Sequence, residues 1–170
     1  MKDANDFKNQ LNIKIKKIDK TYNKKIKILS ISSTGKTEKK SYFAPLRYNK
    51  NIVVVGIIIF HEKEILSLKK IINKSFDYIF LDNDPNKLIH ESKSIYNAYI
   101  KFFTKEKIIP FKPNDITVEA CYGHVFSIKN RKIDKILIIG SGNIGTKLAM
   151  KFYESGLSVY TNRLNHYKGK

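Results

Sequence analysis

From Ile52 to Phe60 the chain reads IVVVGIIIF, a continuous, largely β-branched run. That pattern predicts a strand buried on both faces of a parallel sheet. Glu62–Lys74 follows, with Ile65, Leu68 and Ile72 at helical spacing. Asp77–Leu81 (DYIFL) predicts a second strand. Asp84 ahead of Pro85 is a helix-start signal, with the acid as cap and the proline at the first helical position. Leu88, Ile95, Tyr99 and Phe102 then form a stripe that carries the helix to about Phe103. Lys107–Phe111 and Asp115–Ala120 read as two more strands around Pro110 and Pro113. The order β-α-β-α-β predicts an α/β domain over 41–123 with a mostly parallel sheet.

Residues 1–40 are patterned differently. Ile13, Ile15, Ile26, Ile28 and Ile31 alternate with polar residues, which predicts short half-exposed strands, and Ser32-Ser33-Thr34-Gly35 predicts a turn. This segment holds twelve lysines against four acids, so it reads as a basic N-terminal segment without chemistry of its own. The whole chain of 170 residues carries a formal net charge of +18. Lysine supplies 30 of the 33 basic residues, and only Arg47, Arg131 and Arg163 carry a guanidinium. A nucleic-acid surface mixes in more arginine, whose planar fork reads phosphates and bases better. The lysine, isoleucine and asparagine richness is read first as compositional drift, and a nucleic-acid partner is not expected.

The longest apolar run is about half the ~20 residues that a bilayer span needs, so no membrane partner is expected. Met1–Asn12 is polar and charged, unlike a signal peptide. Cys121 is the one cysteine, which excludes an intrachain disulfide and a thiolate zinc cluster. A cytoplasmic location is expected on these grounds.

The clearest signal lies in residues 132–170. Lys135–Ile139 predicts a strand that runs into Gly140-Ser141-Gly142-Asn143-Ile144-Gly145. Leu148, Ala149 and Phe152 continue a helical stripe, Gly156 stands where a C-terminal cap belongs, and Leu157–Thr161 predicts the next strand. Strand, G-x-G-x-x-G, helix and strand within ~30 residues is the dinucleotide fingerprint, the first βαβ half of a Rossmann domain. Gly140 is expected to allow the tight turn, Gly142 to let backbone approach a pyrophosphate, and Gly145 to let the helix pack on the strands. The alternative is a glycine turn used only for packing. The second strand ends Thr161-Asn162-Arg163, without the acid that holds a ribose 2′-hydroxyl. Arg163 could pair with a 2′-phosphate and Thr161 or Asn162 could donate to it, which favours NADP over NAD; otherwise Arg163 is one more solvated cation.

The glycine loop followed by Asn162-Arg163 resembles the cofactor domain shared by shikimate/quinate dehydrogenases and glutamyl-tRNA reductases. The resemblance covers about residues 132–168. It implies a substrate domain at 41–123, a partial NAD(P)-binding Rossmann domain at 132–170, and an oxidoreductase acting on a small molecule. The loop is closer to the reductase form than to the Gly-Gly-Ala form of shikimate dehydrogenases. The first domain lacks the Asn-Val-Thr-x-Pro-x-Lys segment that carries their catalytic lysine. A full Rossmann domain has about six strands, so a truncated or split form is expected, inactive alone and completed by another chain or by a homodimer. The alternatives are a nucleotide-binding regulatory module without catalysis and, behind it, a basic nucleic-acid-binding protein using residues 1–40.

Weaker candidates remain. Cys121-Tyr122-Gly123-His124 reads as an interdomain hinge, where a nucleophilic Cys121 or a proton-transferring His124 is one reading, and a buried small side chain with a hinge histidine the other. Asp82 follows a parallel strand and could contact a substrate or a hydrated cation. His61-Glu62 and His90-Glu91 show no metal-binding spacing, so no protein-bound metal is expected.

Overall fold

The computed structural model describes residues 2–33, 41–60, 62–84, 88–89, 93–128 and 132–162. The chain is α/β, with strands that are mostly parallel, and it divides into two compact units, Met1–Phe111 and Lys112–Lys170. The division falls before the Gly123–Arg131 stretch that the sequence suggested, because residues 113–127 form a helix that packs within the second unit.

The first unit opens with helix α1 (Lys2–Thr21), not with the short strands expected there. Phe7, Leu11, Ile15 and Ile18 are spaced by helical turns and all are buried, whereas Ile13 is 66% exposed. A helix that buries one such stripe outweighs the local Ile13–Ile15 alternation. Strand β1 (Ile26–Ser32) follows, then the short β2 (Tyr42–Phe43) and β3 (Arg47–Tyr48), then β4 (Ile52–Ile58), helix α2 (Glu62–Ser75) and β5 (Tyr78–Asp82). The expected helix from Asp84 to Phe103 is replaced by a small antiparallel pair, β6 (Leu88–Ile89) with β7 (Lys93–Ser94), and a short helix α3 (Ile95–Tyr99). Ser94, not Asp84, caps α3, its hydroxyl accepting the Asn97 N–H at 3.2 Å. Strand β8 (Ile108–Phe111) closes the unit.

The sheet order is β2-β4-β1-β5-β8, with β3 also on β4. β1, β4, β5 and β8 run parallel, and β2 and β3 run antiparallel to β4. The register sets Leu29 opposite both Val55 and Ile79, and Ile31 opposite both Ile57 and Leu81, so these buried residues share one face. They join the α1 stripe and Ile65, Leu68 and Ile72 of α2 in a single core. β4 alternates between buried and half-buried positions, so the expected burial on both faces is met on one face only.

The second unit contains helix α4 (Pro113–Ser127), strand β9 (Lys135–Ile139), helix α5 (Asn143–Glu154) and strand β10 (Ser158–Asn162). β9 and β10 pair in parallel, Ile136 opposite Val159 and Ile138 opposite Thr161, with α5 as the crossover that parallel neighbours need. The expected strand at Asp115–Ala120 is part of α4. Pro113 sits at the first turn of that helix, where its missing N–H costs nothing. The C-terminus of α5 is a Schellman motif: Leu157 N–H reaches the Phe152 carbonyl at 3.2 Å, Gly156 N–H reaches Tyr153 at 2.9 Å, and Gly156 has φ +84°.

Candidate nucleotide site

β9 leaves the sheet through Gly140, whose φ of +104° is a conformation that side chains with a Cβ rarely adopt. The Gly140 N–H donates to the Asn162 carbonyl at 2.8 Å, which ties the loop to the end of β10. Thr161 and Asn162 are exposed there, while Arg163 lies outside the described residues. Gly142 is the N-cap of α5 and accepts the first helical bond, from Thr146 N–H at 2.8 Å. The N–H groups of Asn143, Ile144 and Gly145 therefore stand outside the helical ladder at the positive end of α5.

The three glycines differ in what a side chain would meet. A Cβ on Gly145 would lie 1.9 Å from the Gly140 carbonyl oxygen, so this position brings helix and loop into direct contact. A Cβ on Gly142 meets nothing within 4 Å, and there the backbone faces open space. Ser141 takes part through its carbonyl, which accepts the Thr146 hydroxyl at 3.3 Å.

That open space is a cleft of about 500 Å³ lined by Ile138, Ile139, Gly140, Gly142, Asn143, Ile144, Gly145 and Leu148, and by Asn114 from the first turn of α4. Asn114 escapes the sequence pattern, which reads α4 as a strand. The signal that points to it is Pro113, which marks a helix start as well as a strand break.

α4 reaches the cleft because it lies alongside α5. Lys147 donates to Asp115 and Lys151 to Glu119, each pair 32 residues apart in the chain. The Tyr122 hydroxyl meets the Ser155 hydroxyl at 2.8 Å. Contacts that advance together along both helices mean that the helices run in the same direction, so both N-termini open at the same end. Phe152 anchors the pair beneath the rings of Tyr122 (5.4 Å) and Phe126 (6.1 Å). The Asp115 carboxyl is held below the usual carboxylate range by its hydrogen bond from Lys147, which outweighs the upward push of burial, with the charges of Lys147 and Lys112 adding to the lowering.

Cys121 and His124 stand on α4, not in a hinge, and both are exposed. Three residues apart on a helix, they share a side of it. They are not among the residues lining the cleft. Asp82 ends β5 and is buried, accepting the Ser32 hydroxyl and, at 2.9 Å, the Asp84 N–H. These bonds join the C-terminal ends of β1 and β5. Glu62 opens α2, and His61, His90 and Glu91 lie outside the described residues. Among the described residues no group of three or more His, Cys, Asp or Glu is placed to hold a metal, and no helix is long and apolar enough to cross a membrane.

No protein-family model matches this chain, and no curated protein matches it.

Proposed function

We propose that the second unit binds the pyrophosphate of a dinucleotide, NADP in preference to NAD, and that the chain is an NAD(P)-dependent oxidoreductase of the shikimate/quinate dehydrogenase or glutamyl-tRNA reductase type. The observation that carries this reading is the cleft at Gly140–Gly145, onto which the N-termini of two parallel helices open. Backbone N–H groups and aligned dipoles there favour an anion. The absence of any Cβ at Gly142 leaves room for phosphate oxygens to approach the chain. Thr161 and Asn162, the latter tied to Gly140 through its carbonyl, stand at the strand end where the ribose and its 2′-substituent are read in such folds. The bound dinucleotide supplies the hydride chemistry. This chain's residues hold the phosphates, set the ribose against β10 and orient the cofactor.

A second reading, a nucleotide-binding module without catalysis, is favoured by the composition of the lining. Among the described residues the cleft is walled by Asn, Ile, Gly and Leu, with no acid, base or nucleophile. Proton transfer to a substrate would have to come from groups beyond these walls.

Calorimetric titration with NADPH, NADH and ADP tests the proposal. NADPH binding is expected, with Arg163→Ala reducing affinity for NADPH roughly tenfold to a hundredfold, as removal of a charge-assisted hydrogen bond would, and sparing NADH. No heat and no displacement with any of the three nucleotides would reject the site. Binding without oxidation of NADPH by small oxo-acids and ketones would favour the second reading.

A further inference from the structure

Lysine is concentrated beyond the drift of the whole chain at one place in the first unit. Seven of the fourteen residues from Lys14 to Lys27 are lysine, against 30 of 170 overall, and Asp19 is the single acid among them. Lys16, Lys17 and Lys20 are exposed on α1, and Lys24 is exposed in the turn that follows. Lys16 and Lys20 are one turn apart, about 6 Å along the axis. Beside this row the structure places two aromatic rings. Tyr22 and Tyr48 meet at 5.1 Å between centroids, and Lys25 stands over both, 5.0 and 5.3 Å from their centres. Lys25 also donates to the Asn49 carbonyl, which fixes it between the helix end and the β3–β4 turn. Tyr48 is nevertheless 62% exposed.

We propose that this face of the first unit binds single-stranded nucleic acid, the lysine row following the phosphates and Tyr48 stacking a base. An exposed ring held beside a track of cations is what a single strand recognises, since every base has a face to stack. A duplex keeps its bases stacked and offers no face to a lone tyrosine. An anionic membrane fits less well, because a membrane-bound helix needs a free apolar face. The apolar face of α1 is already buried as Phe7, Leu11, Ile15 and Ile18. The inference is independent of the dinucleotide reading, which rests on the other unit.

The test is fluorescence anisotropy with a labelled twelve-nucleotide oligouridine at 50 and 200 mM salt, alongside heparin and phosphatidylserine vesicles. Lys16→Gln/Lys17→Gln/Lys20→Gln/Lys24→Gln should weaken oligouridine binding at least ~tenfold and flatten the log–log salt slope by ~0.7 for each phosphate that is no longer neutralised. A charge-matched control, Lys69→Gln/Lys70→Gln/Lys74→Gln/Lys105→Gln, should change affinity less than ~threefold. Tyr48→Ala should weaken oligouridine at least ~fivefold and leave heparin unchanged, and Tyr48→Phe, which keeps the ring, should bind as the wild type does. The proposal is overturned if the control variant weakens binding as much as the row variant, if Tyr48→Ala and wild type bind oligouridine equally, if vesicles are the tighter ligand, or if NADPH displaces the oligonucleotide.

Discussion

Gly142 and Gly145 belong to the same loop and answer to different physics. At Gly142 the extended backbone accepts any side chain and the added atoms meet empty space, so Gly142→Val should fold like the wild type and lose nucleotide binding. At Gly145 an added methyl collides with the Gly140 carbonyl, and helix or loop must move. Gly145→Ala should therefore destabilise the second unit by ~1–3 kcal/mol, as overpacking does. Urea titration followed by circular dichroism separates the two outcomes. Asp115 adds a pH dependence. Its folded-state pKa is depressed by Lys147, so its contribution is present above the ordinary carboxylate range and fades as pH falls through the lowered value. Both partners are nearly half exposed, so the pair is worth no more than ~1 kcal/mol. Asp115→Asn should show that small deficit at pH 7 and 50 mM salt, and the deficit should fade as acid protonates the carboxylate and shrink at high salt.

At the scale of elements, α1 is the sharpest test of what holds the first unit together. Leu11 is fully buried, so Leu11→Ala should cost ~2–5 kcal/mol, whereas Ile13→Ala, at an exposed site, should stay within ~0.5 kcal/mol. Equal, negligible effects in denaturant titrations would mean that α1 is a peripheral arm. The same helix shows why part of the fold is hidden in the sequence. Ile13 and Ile15 alternate like a strand, and the Phe7-Leu11-Ile15-Ile18 stripe that decides the matter is diluted by lysine. α4 misleads in the same way. Its run Ile116-Thr117-Val118 is β-branched, and only Val118 of that helix is buried, so no clear stripe marks it. β4, α2, β5, β9, α5 and β10 are legible, because each is a short apolar run or a clean stripe bounded by a turn signal. The glycine loop is legible for a different reason: its residues are dictated by backbone conformation and close approach, which do not depend on the rest of the molecule. Asn114 is not, since it comes to the cleft only through packing of α4 on α5.

For the whole molecule, the unequal cores of the two units set its expected behaviour. The first unit buries side chains of α1, α2, α3, β1, β4 and β5 in one cluster. Among the described residues of the second unit the buried set is Val118, Gly145, Phe152 and Leu157, while Leu137, Ile139 and Tyr160 are 63%, 70% and 56% exposed. The second unit should therefore open first, with its amides exchanging faster than those of β1 and β5. A nucleotide bound there should slow exchange in the second unit only, by an amount that follows the site's occupancy, ~2.7 kcal/mol at a hundredfold excess over Kd. The most direct test of the central claim is a two-dimensional nitrogen–proton NMR titration of the chain with NADP. The account predicts that the amides of Gly140–Thr146, Asn114 and Thr161–Asn162 shift together along one saturating curve while those of β1, β4 and β5 stay in place. Shifts confined to the first unit, or none at millimolar NADP, would contradict it.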